Sequence, residues 1–365
     1  MTGTERIREL ARDWLGLVGA ADRDFVVSPV GLWLALGAVA SGARGETGGE
    51  LRGLLGVDGG AAAEAVTRVG RRLSDGDGVA VATGVWSRLS VLDAFRRGLP
   101  DVSFGLLPGP GDVSRGAQAA LDAWVRRATG GRIGSLPLVL DGSEDLVLLN
   151  ALALKAAWAR PFPAQLTHDE PFTDAHGVTR PEPTMRQRIP VRQVWYVDGV
   201  TVVELPCKGK GGDAVRVRCA LGPEGAGPAE VLPAAWAGPG ERRPVAADAV
   251  DLALPRFGLR TRIDAHAQVA ALGVRRALRP GADFSGICAA DLHVSKVVQE
   301  ALVEIAEEGV EAAAATAVTM TRSAAPRPLA IERVAFDRPF GVAVPAGADD
   351  LPLFVGWRAG TGSRI

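Results

Sequence analysis

Residues 146–154 read Leu-Val-Leu-Leu-Asn-Ala-Leu-Ala-Leu. A run this apolar, broken only by Asn150, marks a strand covered on both faces in the middle of a sheet. Nine residues fall well short of the ~20 needed to span a bilayer as a helix. The other long apolar stretch, 28–40, is also too short, so no membrane span is expected. A strand of this kind needs neighbours on both edges and a layer on each face. The 365 residues supply enough chain for a large core.

The first hundred residues read as helices over 4–18, 29–41, 46–55 and 61–73, followed by a strand at 79–86. Ser28-Pro29 is a helix start, with Ser as the cap and Pro at the first helical position. Residues 114–129 form an amphipathic helix that Gly130-Gly131 ends. Strands are predicted over 191–196, 201–205 and 214–221. A Gly/Pro-rich loop or shortened helix follows at 222–244. A strand at 250–254, a short helix at 265–272 and a strand at 289–307 come next, then strands at 333–336, 340–344 and 351–357. With no repeat and no linker, this order predicts one α+β domain over residues 1–365.

Formal charges nearly cancel, 41 Lys and Arg against 42 Asp and Glu, so composition makes no case for nucleic acid or an anionic membrane. Only four of the cations are lysines, which with the heavy use of Ala and Gly suggests a GC-rich bacterial gene. The N-terminal stretch 1–21 reads as an amphipathic helix, without the basic start, apolar core and cleavage site of a secretion signal. The expected location is the cytoplasm, or outside the cell without a recognisable signal. Cys207, Cys219 and Cys288 lack metal spacing and are expected as free thiols, although a bridge between Cys207 and Cys219 is conceivable if their strands pair.

No catalytic, metal or cofactor motif emerges. His168, His176, His266 and His293 have no ligand spacing and read as surface or strand residues. Asp75-Gly76-Asp77-Gly78 lacks the remaining ligands of a calcium loop and reads as a turn. Lys208-Gly209-Lys210-Gly211-Gly212 lacks the phosphate-loop order and reads as a hairpin tip. Arg186, Arg188 and Arg192 read as a solvated strand edge.

Residues 304–322 admit two structures. The four-alanine run flanked by glutamates favours helix. At period two the same residues make a strand, with Val310, Ala312, Ala314, Thr316, Val318 and Met320 on one face and Glu311, Ala313 and Ala315 on the other. Gly309 provides a hinge. Such a weakly committed, small-residue segment reads as a part that moves.

At this point the chain resembles the serpin family over nearly its whole length. Ser28-Pro29 with Gly42-Ala43-Arg44-Gly45-Glu46-Thr47 resembles the family's second helix and the turn after it. Leu121-Asp122-Ala123-Trp124-Val125 and Thr129-Gly130-Gly131-Arg132-Ile133 resemble the helix lying across the main sheet. Asn150, Lys155, Trp158, Pro161, Phe162, Thr167 and Phe172 match the central strand and the crossing after it. Leu254-Pro255-Arg256-Phe257, Phe336-Asp337-Arg338-Pro339-Phe340 and Leu353-Phe354-Val355-Gly356 resemble later strands, and Glu307-Glu308-Gly309-Val310-Glu311 resembles the reactive-loop hinge.

The resemblance implies a serpin fold: a large central mixed sheet, further sheets, about eight or nine helices and an exposed reactive loop over about 307–328. It implies a monomeric inhibitor of a serine protease, without cofactor, metal or enzymatic activity of its own. The protease cleaves the loop, and the loop then enters the central sheet as a new strand. The resemblance implies that this insertion adds a strand to the sheet and releases stored strain. The family's acidic–basic pair falls on Glu307 and Arg256, with Trp158 nearby. Ser28 and Asn150 keep the polar residues under the sheet. Gly31 stands where Ser is usual, Gln299 where His is usual, and Asp24 where Asn is common. Val310 replaces the usual Thr or Ser. Counting from the hinge puts the cleaved bond at Ser323–Ala324; one residue shorter puts it at Arg322–Ser323, which suits a trypsin-like enzyme, whereas Ser and Ala suit elastase- or subtilisin-like ones. The alternative implied by the family is a non-inhibitory binding or chaperone-like protein.

Overall fold

A computed structural model of the chain describes residues 3–57, 60–75, 78–108, 115–135, 140–154, 156–209, 214–308 and 329–360. In chain order the described elements begin with α1 (Gly3–Val18), β1 (Phe25–Val27), α2 (Pro29–Ala40), α3 (Gly45–Leu55) and α4 (Ala62–Ser74). Next come β2 (Val79–Ser87), α5 (Asp93–Gly98), β3 (Ser103–Leu106), α6 (Arg115–Ala128) and β4 (Leu146–Leu154). The middle of the chain supplies β5 (His168–Thr173), β6 (Thr179–Ile189), β7 (Val194–Val197), β8 (Val200–Pro206), β9 (Arg216–Leu221) and α7 (Pro228–Val231). After these follow β10 (Arg243–Pro244), β11 (Ala249–Pro255), β12 (Phe257–Asp264), α8 (His266–Ala271) and β13 (Val294–Ile305). The chain closes with β14 (Ile331–Ala335), β15 (Phe340–Ala346) and β16 (Leu351–Arg358).

The apolar run at 146–154 is β4, and all nine of its residues are buried. It lies in the middle of a five-stranded mixed sheet ordered β12-β13-β4-β2-β3. Leu146, Leu148, Leu152 and Leu154 face the large core shared with α2, whereas Val147, Leu149 and Ala151 face a smaller core under α6. Both faces are therefore dry, as the sequence requires. Every residue of α2 is buried, which fits a helix apolar all round. Its start is the expected one: the Ser28 hydroxyl accepts the Gly31 N–H at 3.1 Å and Pro29 takes the first helical position.

On the opposite face α6 crosses the sheet through Leu121 and Val125. Trp124 meets Trp86 edge to face, with ring centroids 4.8 Å apart. Gly84 and Gly105 make room for this contact. A Cβ at Gly84 would lie 2.1 Å from the Trp86 ring, and one at Gly105 2.2 Å from its Nε1. Gly130 and Gly131 end the helix with φ of 61° and 83°, a conformation glycine adopts at little cost.

A seven-stranded sheet ordered β1-β16-β15-β9-β8-β7-β10 and a four-stranded sheet ordered β14-β11-β6-β5 complete the fold. Two parts of the sequence reading need correction. Arg186 and Arg188 do not lie on a strand edge. They project from β6, an inner strand, and pair with Glu170 and Asp251. Residues 191–193 form a 3₁₀ turn, so the strand begins at Val194. Cys207, Cys219 and Cys288 are free and buried, and no bridge joins Cys207 to Cys219. Burial pushes the Cys207 and Cys219 thiols up to about 12. Lys155 and residues 76–77 and 210–212 of the two glycine motifs lie outside the described residues.

Asp349, between β15 and β16, ties three elements together. Its carboxylate accepts from both terminal nitrogens of Arg72 on α4, at 2.9 and 2.5 Å, and from Thr4 on α1 at 2.5 Å. The Arg72 guanidinium, with Thr4, holds this carboxyl down at about 2, against 3.8 for an ordinary aspartate. A depressed folded pKa contributes stability that is complete above the unfolded value and is lost as pH falls from about 4 through about 2. Asp349→Asn should flatten that part of the pH profile, with a smaller loss of urea midpoint between pH 5 and pH 2.5 than wild type. Equal losses would contradict the clasp.

Candidate functional site at the parallel seam of the central sheet

β13 and β4 run parallel, with Val297 opposite Leu148 and Leu302 opposite Ala153. Their outer partners, β12 and β2, are each antiparallel to them. A chain that left the end of β13, turned back and entered between β13 and β4 would run antiparallel to both. One parallel pairing would become two antiparallel ones, and parallel pairing is slightly the weaker per residue. The chain leaving β13 is the predicted loop. Of its residues, Glu307 is described; Gly309, Val310, Glu311, Ala312, Ala313, Ala314, Ala315, Thr316, Val318, Met320, Arg322, Ser323 and Ala324 lie outside the described residues.

At the upper end of the seam Arg256 and Glu307 come together. Arg256 Nε donates to Glu307 Oε1 at 2.7 Å, its Nη2 bonds the same oxygen, and the Thr167 hydroxyl donates to it at 2.7 Å. Burial pushes the Glu307 carboxyl up, but Arg256 and Thr167 outweigh burial and hold it below the usual carboxylate range. Trp158 closes the same corner. Its Nε1 donates to the Ala306 carbonyl at 2.7 Å, and its backbone N–H donates to the Glu308 carbonyl at 3.2 Å. The Phe162 N–H adds a bond to the Glu307 carbonyl at 2.8 Å.

In the middle of the seam three buried polar side chains form a row, tied at one end to the Ser28 backbone. Gln299 lies opposite Asn150, and Asn150 lies opposite Thr83. Gln299 Nε2 donates to the Ser28 carbonyl at 2.9 Å and to Asn150 Oδ1 at 3.3 Å, while its Oε1 accepts the Ser28 N–H at 2.7 Å. Asn150 Nδ2 donates to Thr83 Oγ1 at 3.2 Å and to the Ala82 carbonyl at 3.3 Å. Ser28, Thr83, Asn150 and Gln299 are all buried, and buried polar groups are tolerable when bonded this way.

The positions where the sequence departs from the serpin pattern fit this arrangement. A Cβ at Gly31 would lie 1.9 Å from Asn150 Oδ1 and 2.5 Å from Leu152 Cδ1, so Asn150 and Leu152 occupy the space a side chain would need. Gln299 uses both ends of its amide on Ser28 and Asn150 without a titratable group. Asp24 accepts the N–H groups of Ala359 and Gly360 at 2.6 and 2.9 Å and pairs with Arg358 at 2.9 Å. Gly31→Ala should cost about 1–3 kcal/mol as over-packing, and less in an Asn150→Ala background. Urea unfolding of the two single variants and the double variant checks this; additive costs would contradict the Gly31–Asn150 contact.

Sequence pattern alone does not single out Thr83, Phe162 or the Thr167–Glu307 bond as parts of the site. Thr83 becomes visible only once the register of β2 against β4 is known. Among the described residues no group of three or more His, Cys, Asp or Glu side chains could hold a metal ion, and no helix is long and apolar enough to cross a membrane.

The family model described as serpin (serine protease inhibitor) matches residues 8–358. The chain belongs to the serpin family. It is 33% identical to putative serpin-Z12 of Oryza sativa subsp. japonica, over 96% of this chain and 88% of that protein. It is also 33% identical to the leukocyte elastase inhibitor of Bos taurus, over 55% of each. The native-state crystal structure of the thermophilic serpin tengpin superposes with a TM-score of 0.82 at 19% identity, covering 98% of this chain and 93% of that one. The rice and cattle relatives do not support the bacterial source suggested by the scarcity of lysine.

Proposed function

We propose that this serpin inhibits a serine protease as a suicide substrate, through cleavage of the 309–328 segment and its entry into the β13–β4 seam. The observation that carries the reading is the parallel seam itself, bordered by antiparallel strands and followed directly by a segment of small residues. The protease serine attacks the carbonyl of the scissile bond and the leaving amine departs, which leaves the loop esterified to the enzyme. The freed segment enters the sheet with Val310, Ala312, Ala314, Thr316, Val318 and Met320 facing the core. Each new ladder bond is worth ~1 kcal/mol net, and roughly a dozen residues can form them. The Arg256–Glu307 pair fixes the point from which the segment turns, and Gly309 is the hinge. The entering strand must part Gln299 from Asn150 to pass the middle of the seam.

Two cleavage sites follow from the sequence. Ser323–Ala324 suits an elastase- or subtilisin-like enzyme, in keeping with the relative named for leukocyte elastase. Arg322–Ser323 suits a trypsin-like one. Incubation with trypsin, elastase and subtilisin, followed by denaturing gels, tests the proposal. A covalent complex with at least one of them is expected, and cleavage by all three without any complex would overturn it.

A further inference from the structure

The lower end of the seam, where β4 and β13 both begin, is closed by side chains that the functional reading does not use. Asp145 and His293 directly precede the two strands, and His293 Nδ1 lies 2.7 Å from Asp145 Oδ2. The Asp145 N–H donates to the Ser295 hydroxyl at 2.9 Å, and the Leu146 N–H donates to the His293 carbonyl at 3.1 Å. The ladder shifts register between Val294 and Lys296, so Ser295 drops out of the pairing and its hydroxyl faces the Asp145 N–H instead. Lys296 Nζ lies 3.4 Å from Oε1 of Glu144, a buried carboxylate whose oxygens also accept the N–H groups of Asp141 and Gly142. Just beyond β2, Arg88 braces the cluster by donating its Nε to Asp145 Oδ1 and its N–H to the Asp145 carbonyl, both at 2.8 Å.

The contacts of 144–146 with 293–296 all cross the seam. Adjacent strands lie ~4.8 Å apart, so a strand placed between them would raise the separation to ~9.6 Å. The two hydrogen bonds and the Asp145–His293 contact cannot span that distance. Ten positions separate Ser295 from Ile305 at the top of β13. A segment entering with Val310 opposite Ile305 therefore reaches the cluster only at Met320, next to the candidate cleavage bonds.

We infer that Asp145, His293, Ser295 and the Glu144–Lys296 pair form a latch that holds the lower end of the seam shut and opens only in the last steps of strand entry. In the intact chain the latch opposes spontaneous opening. During inhibition it sets how completely the strand enters before the acyl ester is hydrolysed. This second consequence rests on the inhibitory reading above; the first does not.

The test uses the full chain as Ser295→Ala/Lys296→Met, with Glu144→Gln as a milder variant that preserves shape. Without any protease, amide exchange at Leu146, whose own acceptor both variants leave in place, should quicken about five- to tenfold, as for the loss of one bond's support. Exchange at Leu149, in mid-strand, should stay unchanged. An unaltered Leu146 in both variants would overturn the latch. With a protease that wild type traps, the variants should divert more of the chain into covalent complex and less into free cleaved product. Identical partitioning would overturn the latch's role in inhibition. If wild type forms no complex and gains no thermal stability on cleavage, the inhibitory reading fails, and the Leu146 exchange still decides whether the latch closes the seam.

Discussion

Ala314→Arg should abolish covalent complex formation while leaving the chain fully cleavable by the same protease. In the proposed mode of entry Ala314 faces the core, and the strands that border the seam are dry: β4 is buried along its whole length and β13 at most positions. Placing an unpaired guanidinium in such a site costs on the order of 3–5 kcal/mol. If that cost falls on strand entry, entry slows by about 10²–10⁴-fold, since each 1.36 kcal/mol is tenfold in rate. Hydrolysis of the acyl ester then wins, and the inhibitor becomes a substrate. Glu311→Lys is the control, because the proposed entry puts Glu311 on the opposite face at the upper end of the seam; its complex should persist. Denaturing gels of both variants with a trapped protease decide the matter. An undiminished complex with Ala314→Arg would contradict entry of this face into the seam.

Arg358→Leu should destabilise the fold by about 3–5 kcal/mol. Arg358 is buried at the end of β16 and holds two acidic partners: Asp24 at 2.9 Å, and both oxygens of Glu182 at 3.0 and 2.9 Å. Its guanidinium also lies over the Phe172 ring, 5.6 Å from the centroid. Removing it leaves two largely buried carboxylates without their cation. Asp24→Asn in the same chain should recover part of the loss, because the amide oxygen still accepts from Ala359 and Gly360 without carrying charge. Urea midpoints of wild type, Arg358→Leu and the double variant check this, and a cost below about 1 kcal/mol for the single change would contradict the triad.

What could be read from the sequence is what local pattern specifies. β4 was legible because continuous apolar character leaves few alternatives, and α2 because Ser28-Pro29 is a start signal that needs no tertiary context. The Arg256–Glu307 contact came from family resemblance. β5 and β6 were hidden because Pro171, Pro181 and Pro183 interrupt a charged stretch. The prolines are accommodated because β5 is an edge strand, and the pairing of β6 with β11 begins only at Thr184. β12 was hidden because it carries Arg260 and Arg262, both paired with the buried Glu300 of β13. The polar row was legible only in part. Asn150 and Gln299 could be named, but their contact joins residues 149 apart in sequence and Thr83 joins from 67 away. Their alignment is a matter of strand register, which the sequence does not print. His293 reads as a surface or strand residue for the same reason: its partner Asp145 is set beside it by two strands that start together.

In the proposed mechanism the β13–β4 seam accepts the cleaved loop as a strand. The thermal unfolding midpoint of the intact chain, compared with that of the chain cut once between residues 321 and 325, tests it most directly. A strand gained on cleavage predicts a clearly higher midpoint for the cut chain. A midpoint equal to or below that of the intact chain would contradict it.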